Sequence, residues 1–362
     1  MKNSKVKILS IAILFYVSCL CIWLKPDTEY SPTERRRLKQ LPELTTENIY
    51  NGKYMKEFDN YALDQFPGRD MLRGIKAALN LKSDNNGLYL AQGHINSMEY
   101  PLNKQSLDYA TKVFQNISQK YLAANANQIY LSVIPDKNYF FAEKNGYLAL
   151  DYKELAAILQ EKNPNMQYID VFPLLSGEDY YSTDIHWKQE NLVPVADKLL
   201  NSMTLADEKM VEKAYQEKEA GEFYGVYYGQ AALPVKPDKM AYLTNKCIEN
   251  YRVYDYQNNR EIPVYDLEKV TGDDPYAMFL GGSLSLLTIE NPQADTDKNL
   301  IVFRDSFGSS IAPLLAENYA KTTLIDIRYI HSSVLAEYVD FANADVLFIY
   351  SVPVLNNSST LK

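Results

Sequence analysis

The chain has 362 residues and sets 37 basic side chains against 46 acidic ones, a formal charge of −9. That balance argues against a nucleic-acid binder, which needs a basic footprint. A composition of 46% hydrophobic and 23% charged residues excludes both a disordered chain and a polytopic membrane protein.

In chain order, Lys2, Lys5 and Lys7 precede an uncharged, mostly apolar run from Ile8 to Leu24, closed by Lys25 and Pro26. The run is just long enough to span a bilayer, and the positive flank keeps the N-terminus in the cytoplasm. Trp23-Leu24-Lys25-Pro26 offers no small-x-small cleavage site, so residues 1–24 read as a retained signal anchor crossing the membrane through residues 8–24. Cleavage would instead release a secreted protein. Beyond Leu24 lie 34 basic and all 46 acidic residues, a charge of −12 placed outside the cytoplasm in a bacterial cell envelope, where acetyl-CoA and ATP are not expected.

Residues 25–85 read as a membrane-proximal segment, with an arginine run at 35–37 expected on a solvated helix face or against anionic lipid and a helical pattern from Asn60 to Leu81. Residues 86–205 alternate α and β. Leu107, Ala110, Phe114, Ile117 and Tyr121 share one helix face. Ile129–Ile134 follows as a strand, Lys153–Gln160 as a helix, Tyr168–Phe172 as a strand, and Leu192–Met203 as a helix. Residues 206–278 break the rhythm with ten tyrosines and short alternating runs such as Tyr251-Arg252-Val253-Tyr254, a β-rich insertion or subdomain. The rhythm returns over 279–355, with strands at Asn299–Phe303, Thr323–Ile327 and Asp345–Tyr350 and helices at Ser310–Tyr319 and Val334–Phe341. The polar tail 356–362 is expected to fray. The fold class is therefore α/β, a parallel sheet flanked by helices.

Cysteine is confined to Cys19, Cys21 and Cys247, so beyond the apolar run neither a disulfide framework nor a Cys-rich zinc site can form. The only imidazoles are His94, His186 and His331. Two segments carry chemistry. One is Asp184-Ile185-His186-Trp187; the other is the strand Leu300-Ile301-Val302-Phe303 running into Arg304-Asp305-Ser306-Phe307-Gly308 and then a helix. Ligands bind beyond the carboxyl ends of parallel strands, where Ser306 would sit on a sharp turn near backbone N–H groups. Serine needs a base to act as a nucleophile; histidine suits that role, and a carboxylate fixes its tautomer. The same turn could equally be a plain strand-to-helix junction with Ser306 as a cap. His331 is a rival base, with Ser332 or Ser333 capping the following helix. His94 reads as a strand-edge or turn residue.

These segments resemble the DHHW family, related to the SGNH-type alginate O-acetyltransferases. The resemblance runs through Ser31-Pro32-Thr33-Glu34-Arg35-Arg36-Arg37-Leu38, Leu41-Pro42-Glu43-Leu44, Asp64-Gln65-Phe66-Pro67-Gly68-Arg69, Val133-Ile134-Pro135-Asp136-Lys137, Tyr181-Ser182-Thr183-Asp184-Ile185-His186-Trp187, Leu280-Gly281-Gly282 and Arg304-Asp305-Ser306-Phe307-Gly308. Ile185 stands where the family's name-giving second histidine would be. The resemblance implies an SGNH hydrolase-like sheet, with Ser306 as nucleophile, His186 as base and Asp184 as its orienter. In the order Asp, His, Ser the serine comes last, whereas in ordinary SGNH hydrolases it comes first. It implies no metal and no held cofactor.

The Ser306 N–H is a natural oxyanion donor. Gly282 is a candidate for the second, or simply part of a turn. Arg304 could orient an anionic sugar or pair with a structural carboxylate, Asn138 could lend a side-chain donor, and Trp187 could form a sugar platform or pack in the core. The leading function is acetyl transfer to an exported polysaccharide. The resemblance implies a partner of the membrane-bound O-acyltransferase family as the acetyl donor. The alternatives are a carbohydrate acetylesterase and a non-catalytic polysaccharide-binding scaffold of a secretion complex.

Overall fold

The computed structural model describes residues 26–31, 34, 36–66, 87–123, 128–203, 214–231, 233 and 235–362, with Ser10, Ile13, Tyr16, Val17 and Leu24 in helical conformation. Apart from those five positions the expected anchor at 8–24 lies outside the described residues. Among the described residues no helix is long and apolar enough to cross a membrane. The chain divides into two compact units, residues 1–90 with 226–236, and residues 91–225 with 237–362.

In the first unit, Thr45 caps a short helix, Thr46–Tyr50, by accepting the Asn48 N–H, and a longer helix spans Lys53–Gln65. The helix expected from Asn60 to Leu81 thus begins earlier, and its part beyond Phe66 lies outside the described residues. Arg36 is on a two-residue strand, not a helix face. It donates to Glu34 and, through both terminal nitrogens, to Asp64 at 2.8 and 2.6 Å. Gln65 ties Thr28 to Lys39 through backbone hydrogen bonds. The charged start and the Asp64-Gln65 pair therefore hold this unit together.

The second unit is built on one eight-stranded mixed sheet. Its strands are β1 (Ile129–Ile134), β2 (Gln167–Ile169), β3 (Arg252–Asp255), β4 (Arg260–Ile262), β5 (Leu286–Glu290), β6 (Asn299–Arg304), β7 (Lys321–Ile325) and β8 (Ala344–Ser351). The order is β4-β3-β5-β7-β6-β8-β1-β2. The run β7-β6-β8-β1-β2 is parallel throughout, as the α/β alternation predicts. The sheet departs from that expectation at the other edge, where β3, β4 and β5 pair antiparallel. The tyrosine-rich stretch is therefore not wholly a sheet of its own. Its second half extends the central sheet, and among its described residues only Gln216–Phe223 and Asp238–Thr244 form a separate antiparallel pair.

Period-two alternation explains why both sheet faces are covered. Leu300 and Val302 of β6 and Leu347 and Ile349 of β8 pack on one side, with helices α3 (Val193–Met203) and α4 (Gly308–Leu315). Ile301, Phe303, Val346 and Phe348 pack on the other, with α1 (Lys104–Ile117) and α2 (Tyr152–Lys162). The helix expected at Val334–Phe341 is only a 3-10 segment, Ser332–Glu337, and Asp340 then turns the chain by accepting the Ala342 N–H. The tail is not frayed. Leu361 is 1% exposed, Lys362 donates its N–H to Ile327, and Ser358 exchanges hydrogen bonds with Ser106 on α1.

Candidate active site

The turn after β6 is fixed by Asp305, which is fully buried. One carboxylate oxygen accepts the Phe307 N–H at 3.0 Å; the other accepts the N–H and hydroxyl of Ser351, at the end of β8, at 2.7 and 2.6 Å. The chain then enters α4 at Gly308, where a Cβ would lie 2.6 Å from Arg304 Cβ. Only glycine lets the helix start this close to the strand it follows. Ser306 is left half-buried at the head of this turn, beyond the carboxyl end of a parallel strand.

The Asp184–His186 loop is pinched at its base. Tyr180 bridges to Trp187, the Lys188 N–H reaches Asp179 O at 2.7 Å, and the Tyr181 N–H reaches His186 O at 3.1 Å. Asp184, 2% exposed, accepts from both the His186 backbone N–H at 3.1 Å and His186 Nδ1 at 2.6 Å. His186 Nε2 lies 2.8 Å from Ser306 Oγ. The hydrogen-bond pattern assigns the tautomer: a carboxylate accepts, so Nδ1 carries the proton and Nε2 accepts from the serine hydroxyl. The structure thus brings Asp184, His186 and Ser306 into one chain of hydrogen bonds. The Ser306 N–H makes no backbone hydrogen bond among the described residues.

The other sequence candidates are placed elsewhere. The Gly282 N–H is already donated to Phe279 O at 3.0 Å, closing a turn in which Leu280, Gly281 and Gly282 all have positive φ. It is a turn residue, and its carbonyl accepts from Arg304 Nη2 and Ser309 Oγ, both at 3.3 Å. Arg304 is fully buried, bonded to the Gly282 and Leu284 carbonyls and 3.7 Å from Asp326, so no sugar can reach it. Asn138 is likewise buried and donates to Leu148 O at 3.1 Å. Trp187 is a core residue with its Nε1 on Phe307 O and Ser310 Oγ, at 3.1 and 2.9 Å. His331 itself caps its helix, Nδ1 accepting the Ser333 N–H. His94 starts a buried strand, stacked on Phe141. Among the described residues no group of three or more His, Cys, Asp or Glu side chains is placed to hold a metal ion.

Residues with no assigned role in the sequence reading surround these three side chains. Asp238 clamps the two residues before Asp184, accepting the Ser182 and Thr183 N–H groups at 2.7 Å each and the Thr183 hydroxyl at 2.5 Å. The Thr183 oxygen in turn accepts the Gly225 N–H, and a Cβ at Gly225 would lie 2.3 Å from Asp184 Cβ. Lys137, 3% exposed, donates to Tyr181 O at 2.8 Å. Burial pushes its ammonium down to about 7, against the opposing pull of Asp184 and Asp238. Tyr276 lies flat on the His186 ring, 3.7 Å between centroids and 4° between planes. Lys137 falls in a quoted motif, whereas nothing local marks Asp238 or Tyr276. They reach the site only through the insertion's tertiary path.

This geometry joins the two motif segments at atomic distance. Residues 162–325 match the DHHW protein family. The DHHW match includes Asp184, His186 and Ser306 and extends over β2 to β7 of the sheet. A DHHW family protein from Eubacterium siraeum, known at 1.49 Å, superposes with a TM-score of 0.60 at 18% identity, over 77% of this chain and 95% of that one. Bacillus cereus PatB1, solved with a sulfonyl adduct, gives 0.61 at 20% identity, over 75% and 97%. These likenesses are of fold. No curated protein sequence matches the chain.

Proposed function

We propose that the protein is an extracytoplasmic O-acetyltransferase of an exported polysaccharide, working through an acetyl-Ser306 intermediate on an SGNH-type scaffold. The observation that carries the reading is the continuous relay Asp184–His186–Ser306, with its 2.6 and 2.8 Å links. Acetyl is the group indicated by the motif resemblance to the alginate O-acetyltransferases. Ser306 Oγ attacks the acetyl carbonyl while His186 Nε2 takes its proton, and Asp184 holds the imidazolium that results. The Ser306 N–H stabilises the oxyanion. Collapse expels the donor's leaving oxygen, protonated by His186, and leaves acetyl-Ser306. A sugar hydroxyl then attacks, its proton passing to Nε2. The new ester departs as Ser306 recovers its hydrogen from His186.

The donor is a partner of the membrane-bound O-acyltransferase class, as the family resemblance implies, and the anchor reading agrees with it by placing the site away from cytoplasmic acetyl-CoA. The test is turnover of a chromogenic acetyl ester with and without an oligosaccharide acceptor. Wild type should transfer acetyl to sugar, and Ser306→Ala should lose about 10⁴-fold or more. Equal rates in the two proteins overturn the nucleophile. Acetate release with no acetylated sugar under any acceptor assigns the chain to esterases instead.

A further inference from the structure

The His186 ring makes two hydrogen bonds, Nδ1 with Asp184 and Nε2 with Ser306. A hydrogen bond weakens only gradually over moderate angles, so each leaves the imidazole room to tilt out of its plane. The Nε2 lone pair lies in the ring plane, and such a tilt turns it away from the serine hydroxyl. The third constraint comes from Tyr276. Its ring is parallel to the imidazole within 4° at 3.7 Å, while Phe307 leans on the imidazole at 4.9 Å and 53°.

Tyr276 is itself held on the nucleophile's own frame. It is 2% exposed, and its hydroxyl donates to Ser310 Oγ at 2.6 Å. Ser310 sits on α4 one turn beyond Ser306 and also accepts from Trp187 Nε1, the residue next to His186. Phe279 packs against the Tyr276 ring at 5.0 Å. The base is thereby referenced to the helix that starts behind the nucleophile. The face of a phenol also attracts cations, so the contact favours the imidazolium formed during attack.

We propose that Tyr276, anchored by Ser310, is a positioning residue that sets the plane of the His186 ring for proton transfer. The proposal rests on the Ser306–His186–Asp184 reading. Its chemistry lies in the flat ring, not in the hydroxyl, which only holds the ring in place.

The test compares Tyr276→Phe, which keeps the ring, with Tyr276→Met, which keeps buried volume but offers no flat face. Tyr276→His, a second flat ring, backs them up if the Met protein does not fold. With a chromogenic acetyl ester and the full chain, Tyr276→Met should lose about 10- to 100-fold in kcat with KM within about twofold, the loss expected for a misaligned proton transfer. Tyr276→Phe should stay within about threefold of wild type, and Tyr276→His should lie nearer the Phe variant than the Met variant. Wild-type kcat in a folded Met variant overturns the proposal, as does an equal loss in the Phe and Met variants. If the Met protein does not fold, a His variant that folds but is as inactive as Ser306→Ala overturns it too. Ser306→Ala runs alongside. Its retained turnover would defeat the triad itself, whereas an inactive Ser306→Ala beside a fully active Tyr276→Met defeats only the role of Tyr276.

Discussion

Asp238→Ala should uncouple the triad from its support without touching it. The carboxylate, 7% exposed, accepts from the Ser182 N–H, the Thr183 N–H and the Thr183 hydroxyl. Hydrogen bonds to a charged acceptor contribute about 1.5–3 kcal/mol each, and a buried N–H left without a partner costs about 1–3 kcal/mol. The three bonds share one carboxylate and do not add independently, so the expected loss is about 3–5 kcal/mol. Thr183 precedes Asp184 directly, and a drift of about 1 Å in a positioned group can lower the rate about 100-fold. Asp238→Asn keeps one acceptor oxygen but turns an NH₂ group toward a donor N–H, so it should fall between the two. Urea denaturation gives the stability change, and kcat/KM for a chromogenic acetyl ester gives the positional one. An Ala variant within about 1 kcal/mol of wild type, or one destabilised as expected yet fully active when folded, would refute the reasoning.

Other expectations follow from single contacts. Gly308→Ala forces a Cβ to 2.6 Å from Arg304 Cβ; overpacking of this kind costs about 1–3 kcal/mol, and displacement of Ser306 should reduce turnover in protein that still folds by circular dichroism. Burial, reinforced by Glu99, pushes the Asp136 carboxyl from 3.8 up to about 7. A folded pKa raised above the unfolded value means the native state holds that proton more tightly, so the stability it contributes is complete below 3.8 and is lost as pH rises through about 7. Asp136→Asn should therefore show a flatter fall in melting temperature between pH 4 and pH 7 than wild type, and parallel profiles would contradict the assignment. Deleting residues 358–362 removes buried Leu361 and the Ser358–Ser106 bonds; burial of one leucine side chain contributes about 1.5–3 kcal/mol, which calorimetry should register as a lower melting temperature.

Much of the second unit is legible in sequence because its physics is local. β1 is read from the apolar run Ile129–Ile134 with its boundaries intact, and α3 follows from the three- and four-residue spacing of its apolar face. β6, the Asp-Ser turn and the Asp-x-His loop are found for the same reason: each advertises itself within a few residues. The sequence goes wrong where partners are distant. The tail looks free until Ser106, about 250 residues away, pairs with Ser358. The tyrosine-rich stretch looks like a subdomain until β3 finds β5, because strand pairing across a long separation leaves no local mark.

The same division runs through the site. Sequence alone determines which groups can act: with three imidazoles and one strand-to-helix Asp-Ser turn, the choice of base and nucleophile is short. The tertiary structure decides which of them meet. It sets His186 Nε2 2.8 Å from Ser306, turns the His331 nitrogen to capping, and removes Arg304 from solvent. It commits the Gly282 N–H to a turn. It also recruits Asp238 and Tyr276 from the insertion to hold the loop and the ring. Residue type and spacing fix what a side chain can do, but hydrogen bonds between segments 120 residues apart depend on how the sheet orders its strands, and that is a property of the whole chain.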